Sequence, residues 1–507
     1  NQSAPSAGLD NVFLYNRQSG EVTLVSHAAV SSATGGGGSS GHPVISADGR
    51  FVAYVSSATD LVPGQATPLT STSATTYVYL FDRQTGGNTL VSGTNSGGVR
   101  ADGDSDSPGI SDDGRFVTYE SRATNLVPGV TASHARNVYL FDRATGANAL
   151  VSHAGLNPAA GDAASFSPVI SPDGNDVAFT SYAGDLVSGK GFTPGLSNVF
   201  LYDRATGKVS LVSGVNGSTS FTTTGYSDSP VINADGTAVA FRSSATHLVA
   251  GQGGPRGSNI FLYDRPAGQT TLVSHAAGLP ATAAAGNSTS PVIDGPGALV
   301  GFLSTATDLA AGQAGGGVNN VFGWVRTSGT NFLASGVNGS PTGASPDPAF
   351  LPLLSRDPVI LFGVAGTLIP GTGGTANGYS NTLVDITFTA ATLLDGSPAG
   401  AIAGTLSTFS VLVGQVLLPQ FSLPPGGAAD NGLFAAGVTR GDGTAGLVTR
   451  FVVNAAARSS FTILVQIDAG FGPAQRVFIL VATPGSTPPG PGPLPPPPGP
   501  AVFPSST

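Results

Sequence analysis

The chain has 507 residues, of which 10% are charged, against about a quarter in an ordinary domain, and a formal net charge of −9. Its only lysines are Lys190 and Lys208, so no basic patch exists to hold nucleic acid or an anionic membrane. It has no Cys, which excludes a disulfide framework and thiol chemistry, and no apolar run long enough for a membrane-spanning helix.

Glycine (73) and proline (38) are abundant and no amphipathic helical period is sustained, so short strands and many turns are expected and the chain reads as all-β. The absence of Met as well as Cys removes the most easily oxidised side chains, which suits an extracellular setting. The chain starts at Asn1 without Met or a hydrophobic leader, and is read as a secreted chain whose signal peptide has been removed.

In chain order, residues 1–8 are expected to form an N-terminal arm. A hairpin, NVFLYNRQSGEVTLVS, follows at 11–26. Its pattern recurs at 77–92, 137–152, 198–213, 259–274 and, more loosely, at 320–335. Before each recurrence stands a second hairpin opened by proline. The opening prolines are Pro43, Pro108, Pro168, Pro230, Pro291 and, degenerately, Pro348, at spacings of 65, 60, 62, 61 and 57 residues. The unit at 167–214 is typical. It predicts strands at Pro168–Ser171, Val177–Ser181, Asn198–Asp203 and Val209–Ser213, with turns at Pro172-Asp173-Gly174 and Ala205-Thr206-Gly207. The strands are near-continuous apolar runs, which predicts sheets covered on both faces. Gly-rich runs at 35–38 and 315–317 read as linkers between blades.

A four-stranded unit repeated at this period predicts a β-propeller. Five full units and one Pro-led half at 348–364 are offset from six outer hairpins. A six-bladed ring over 9–388 is therefore expected, with hairpin 11–26 completing the blade begun by 348–364. The competing segment NTLVDITF (381–388) would instead leave the N-terminal hairpin free for another molecule.

The segments PVISADGRFVAYVSSATDLVPG (43–64) and SPVISPDGNDVAF (167–179) resemble the bacterial TolB-like, WD40-like propeller repeat of secreted proteins, over about residues 9–370. That resemblance implies a calcium-binding Asp-x-Asn-Gly loop between the two hairpins. Here the loops read 64–76, 129–136 and 251–258 without the acidic ligands.

Residues 389–484 lose the period and predict strands at Ala401–Ser407, Val416–Leu423, Leu433–Val438, Leu447–Val453, Phe461–Asp468 and Arg476–Ala482, a β-sandwich. The stretches 397–407, 421–434 and 458–472 resemble a degenerate cadherin-like domain. The calcium sites that this implies retain only Asp430 and Asp468, and Asp468 reads first as a turn cap. Residues 485–507 form a Pro-rich tail expected to be extended polyproline II. Pro488, Pro495, Pro496, Pro497, Pro498 and Phe503 are its candidate assembly contacts.

No catalytic constellation emerges. No Gly-x-Ser-x-Gly elbow, His-Glu-x-x-His motif, phosphate loop or dinucleotide fingerprint occurs, and only Glu21 and Glu120 are glutamates. His27, His153 and His275 end LVSH motifs on outermost strands and would lie too far apart to share a metal. Asp106 and Asp228 precede the blade prolines in DSP and are weak metal candidates near the channel mouth, read first as caps. Arg17, Arg83, Arg143, Arg204, Arg265 and Arg326 share one repeat position and read as structural. No cofactor is expected.

The favoured reading is a secreted, non-enzymatic structural or interaction protein of the cell surface or extracellular matrix. Its partners would be copies of itself or other surface proteins, and it would assemble into a filament through its tail or arm. The alternative is a propeller-based glycan- or peptide-binding adhesion module, with Tyr182, Phe192, Phe221 and Tyr226 as exposed aromatic candidates. A second alternative is a hydrolase or lyase acting on extracellular polymer.

Overall fold

The computed structural model describes residues 9–64, 75–95, 99–130, 135–155, 159–188, 195–215, 225–337, 340, 342–354 and 360–364, and then the strands of the C-terminal region. The chain divides into two compact regions, Asn1–Gly371 and Thr372–Thr507.

The N-terminal region is built of repeated four-stranded antiparallel sheets. A hairpin of β1 (Phe13–Tyr15) and β2 (Val22–Leu24) comes first. The first sheet is β3 (Ser40–Ile45), β4 (Phe51–Ser56), β5 (Tyr77–Asp82) and β6 (Gly87–Leu90). The second is β7 (Ser105–Ile110), β8 (Phe116–Ser121), β9 (Asn137–Asp142) and β10 (Ala147–Leu150). The third is β11 (Ser165–Ile170), β12 (Asp176–Ser181), β13 (Asn198–Asp203) and β14 (Lys208–Leu211). The fourth is β15 (Ser227–Ile232), β16 (Ala238–Ser243), β17 (Asn259–Asp264) and β18 (Gln269–Leu272). The fifth is β19 (Ser288–Ile293), β20 (Leu299–Ser304), β21 (Asn320–Val325) and β22 (Thr330–Leu333). A last pair, β23 (Ala349–Leu354) and β24 (Ile360–Val364), ends the series. Strand order in each full sheet follows the sequence.

The apolar runs bury both faces of the middle strands: β4, β8, β12 and β20 are buried at every position. The fourth strands alternate and are partly exposed. Aromatic register partners stack between the second and third strands, Tyr54 on Tyr79, Tyr119 on Tyr139, Phe179 on Phe200, Phe241 on Phe261 and Phe302 on Phe322, with ring centroids 5.7–6.0 Å apart. Each such pair adds about 0.5–1.5 kcal/mol beyond its buried area. The cores run across sheet boundaries, first to second, second to third, third to fourth and fourth to fifth, and neighbouring first strands pack together. No single sheet encloses its own core.

Turn chemistry closes each repeat on its predecessor. Gly174 has φ 73°, and a Cβ there would lie 2.5 Å from the Phe116 ring of the preceding sheet, so only glycine fits the position sterically and conformationally. Each first strand carries a bulge, and the residue before its proline is left-handed: His42, Ser107, Ser167, Ser229 and Ser290 have φ between 50° and 54°.

Four expectations change. First, the β23–β24 register sets Ala349 opposite Val364 and Leu353 opposite Leu361, as Ser40 faces Ser56 and Val44 faces Ala53. Pro352, not Pro348, thus occupies the repeat position, 61 residues after Pro291, and the spacing is as regular at the end as elsewhere. Second, β1–β2 and β23–β24 stand as separate two-stranded sheets, and the described residues do not show the two hairpins joined in one blade. Third, the competing strand lies at Val384–Ala390 (β25) and pairs with Ile402–Ser410 (β27), on the C-terminal side of the division at Gly371 and Thr372. Fourth, Gly315–Gly317 lie between β20 and β21, inside a sheet.

The C-terminal region holds two four-stranded sheets. One is β25, β27, β30 (Thr444–Thr449) and β29 (Phe434–Ala436). The other is β26 (Leu393–Leu394), β32 (Pro473–Thr483), β31 (Ser460–Asp468) and β28 (Gln420–Ser422). Asp468 ends β31, in register with Gln420 and Pro473. The arm 1–8 and the contacts assigned to Pro488, Pro495–Pro498 and Phe503 lie outside the described residues. Among the described residues no helix is long and apolar enough to cross a membrane.

Candidate functional site

The end of the array where first strands begin and second strands finish carries its least repetitive side chains. In the second sheet Asp106 of β7 faces Glu120 of β8 in register. Other sheets carry Gly41 with Val55, Phe166 with Thr180, Asp228 with Arg242, and Thr289 with Leu303 at the same positions.

Two carboxylates opposite one another need compensation, and neighbours supply it. Glu120 is 4% exposed. Its Oε1 accepts from Arg136 Nη1 at 2.6 Å, and its Oε2 from the Ser167 backbone N–H of the third sheet at 2.9 Å. Asp106 Oδ1 accepts from His42 Nδ1 of the first sheet at 3.0 Å and from the Ser107 N–H at 2.6 Å. Three successive sheets are thereby tied through one carboxylate pair. Around it lies a cavity of about 180 Å³ lined by Thr76, Asp104, Asp106, Glu120, Arg122 and Arg136. The Arg122 backbone N–H donates to the Asp104 carbonyl at 2.9 Å, and its guanidinium has no ion pair among the described residues.

The same positions turn aromatic in the next sheets. Tyr182 follows β12 as Arg122 follows β8; it is 45% exposed and its ring lies 5.5 Å from that of Phe166, which takes the place of Asp106. Tyr226 precedes β15 as Asp104 precedes β7, and is 38% exposed. The Arg242 guanidinium stands 5.6 Å from its ring centre and grips both oxygens of Asp228 at 2.7 Å. That carboxylate pushes the Arg242 pKa above its ordinary value.

Of the metal candidates, Asp106 is thus in the cavity wall and Asp228 in a bidentate ion pair. Among the described residues no three His, Asp or Glu side chains group to hold a metal ion. His27 and His275 act in joints: Nε2 lies 2.9 Å from the carbonyl oxygens of Gly86 and Gly329, each in the next sheet. Phe192 and Phe221 lie outside the described residues.

Sequence reasoning missed Glu120, Arg122, Arg136 and His42. The available signal was departure from the repeat: Glu120 stands in a column otherwise filled by Val55, Thr180, Arg242 and Leu303, where only the fourth sheet also carries a charge.

No family model matches the sequence, and no curated protein matches it. Among solved structures the chain is similar to one from an analysis of two prolyl endopeptidases, at 12% identity and a TM-score of 0.39, covering 91% of this chain and 51% of that one. It is also similar to protocadherin gamma B7 extracellular cadherin domains 1–4, at 10% identity and a TM-score of 0.16, covering 32% of this chain and 31% of that one. The chain spans about half the length of the endopeptidase structure.

Proposed function

We propose that the N-terminal region is a six-bladed propeller of the TolB-like, WD40-like kind, its sixth blade split between β23–β24 and β1–β2, and that it serves as a secreted, non-enzymatic glycan-binding module of the cell surface. The C-terminal sheets would form a cadherin-like sandwich.

The observation that carries this reading is the run of cavity and aromatics on one end of three adjacent sheets. A sugar offers an apolar C–H face and a rim of hydroxyls. Tyr182 and Tyr226 supply exposed aromatic planes for the first, and Asp104, Asp106, Arg122 and Arg136 supply acceptors and donors for the second. Both signs of charge line the cavity, which favours a neutral, hydroxyl-rich ligand over a strongly ionic one.

The test is a glycan microarray followed by calorimetry with the full chain. Binding of a neutral glycan that falls at least tenfold in Tyr182→Ala and in Arg122→Ala, with unchanged circular dichroism, is expected. No binding, or binding indifferent to both substitutions, overturns the reading. Reducing-sugar release in the same samples would favour the hydrolase alternative instead. Against that alternative, the oxygens of Glu120 both accept hydrogen bonds, so the carboxylate facing Asp106 is held as an acceptor and not as a general acid.

The structural-subunit reading is favoured by a separate observation, the two incomplete sheets at the ends of the array.

A further inference from the structure

The two hairpins at the ends of the array carry complementary halves of one repeat. By register, Ile360 and Phe362 of β24 stand where Val52 and Tyr54 stand in β4. By sequence, Phe13 and Tyr15 of β1 stand where Tyr79 and Phe81 stand in β5. In the first sheet Val52 pairs with Phe81 and Tyr54 with Tyr79, and all four are buried. In the split sheet Phe13 is 48% exposed, Tyr15 62%, Val22 52% and, on β23, Leu353 58%. These are large apolar side chains beside strand edges that are unpaired among the described residues, an arrangement that soluble proteins otherwise cover.

Each hairpin is fixed to its own end. Val12 and Val25 belong to the core of the first sheet, Asn88 Nδ2 donates to the Val25 carbonyl at 3.0 Å, and His27 is bonded to Gly86. At the other end Ala349, Ile360 and Phe362 pack with Leu303 and Val321 of the fifth sheet. β23 packs against β19, β20 and β21, and no comparable packing joins β23 to β3 or β4 among the described residues.

We propose that the split sheet is completed between copies: the β24 edge of one chain takes β1 of a second copy, antiparallel, with Phe362 opposite Phe13 and Ile360 opposite Tyr15. Strand addition would supply main-chain hydrogen bonds, and the aromatic pair would give the register. The donor and acceptor edges differ, so the contact is heterologous. Every assembly keeps one of each free at its ends, and the result is an open filament. This rests on the six-blade reading above for the matching of the two half-blades, with the sixth blade completed by a neighbouring copy's hairpin in place of the chain's own.

The chain has no Cys, so introduced cysteines report alone. Tyr15→Cys and Ile360→Cys are made singly and together in the full chain, with circular dichroism as the check on folding. Expected is a disulfide dimer when the two single variants are mixed and oxidised, absent from either alone, and a ladder of 50.0 kDa multiples from the double variant. If the double variant forms its disulfide within one chain and the mixture forms none, the second-copy proposal is overturned while the six-blade reading stands. If the thiols stay free in both, both fall. Should either variant misfold, Leu14→Cys with Leu361→Cys tests the adjacent register pair in the same way.

Discussion

Arg265 reaches back from the fourth sheet to Asp176 in the third, its Nη1 2.8 Å from the carboxylate across 89 positions of sequence, and its Nη2 also holds Asp203. The same repeat position solves the same joint differently elsewhere. Arg143 and Arg204 lie 4.2 Å above the rings of Phe51 and Phe116, which occupy the Asp176 position two sheets and one sheet earlier. Where that position is Ala238, Arg326 bonds to Asp264 instead. A guanidinium serves all three because it stacks on a ring as readily as it pairs with a carboxylate.

Asp176 sets a pH dependence. Burial disfavours its charged form, and although Arg265 opposes this, the pKa is pushed up to about 6 from 3.8. The folded state therefore holds this proton more tightly than the unfolded chain. Its contribution is fully present below about pH 4 and is lost as pH rises through 6, a span of about 3 kcal/mol. Asp176→Asn is expected to flatten the stability profile between pH 4 and 6, measured by thermal unfolding. An unchanged slope there would show that Asp176 titrates normally.

The histidine joints predict a local loss. His27 Nδ1 and Nε2 face the carbonyl oxygens of Ala28 and Gly86 at 3.0 and 2.9 Å, and His275 repeats this with Ala276 and Gly329. His275→Ala removes the ring nitrogen from the part-buried Gly329 carbonyl, while the Ala276 carbonyl keeps the Leu279 N–H, at a cost of about 1 kcal/mol. Hydrogen exchange is expected to quicken around 326–331 and not in the first three sheets. Uniform quickening would mean that the sheets do not open separately.

The left-handed residues before proline predict a gain. Ser290 has φ 52° and an exposed side chain. Glycine relieves a conformational cost of about 1–2 kcal/mol there, partly offset by its own entropy, so Ser290→Gly is expected to stabilise by less than about 1 kcal/mol. Ser290→Val, β-branched at the same angle, is expected to destabilise by about 1–3 kcal/mol. Melting temperatures moving in the same direction for both would contradict this.

The repeat made the fold legible. Predicted strand Asn198–Asp203 matches β13, and the two turns of that unit lie where Gly174 and Gly207 take positive φ. The Pro348 assignment failed because the motif there is degenerate, and only backbone register identified Pro352. The site was less legible for a related reason. Repetition draws attention to columns that agree, such as the arginines, whereas Glu120, Arg122 and Tyr182 matter by disagreeing. The joining of Glu120 to Ser167 passes through a backbone N–H, which no side-chain pattern encodes.

Structural and binding roles in the cavity separate at Glu120 and Arg122. Glu120 is buried and accepts from two donors, so Glu120→Gln turns an N–H toward one of them. It is expected to cost about 1–3 kcal/mol in stability, because a buried donor then meets a donor. Arg122 lines the same cavity without an ion pair among the described residues, so Arg122→Ala is expected to leave stability within about 0.5 kcal/mol. The binding ranking should run the other way: glycan affinity falls at least tenfold in Arg122→Ala even where the protein is fully folded. In Glu120→Gln the loss should appear only as far as the three sheets loosen, tracking the melting temperature. Equal effects of the two substitutions on both measurements would make the cavity a joint between sheets and not a place where ligand sits.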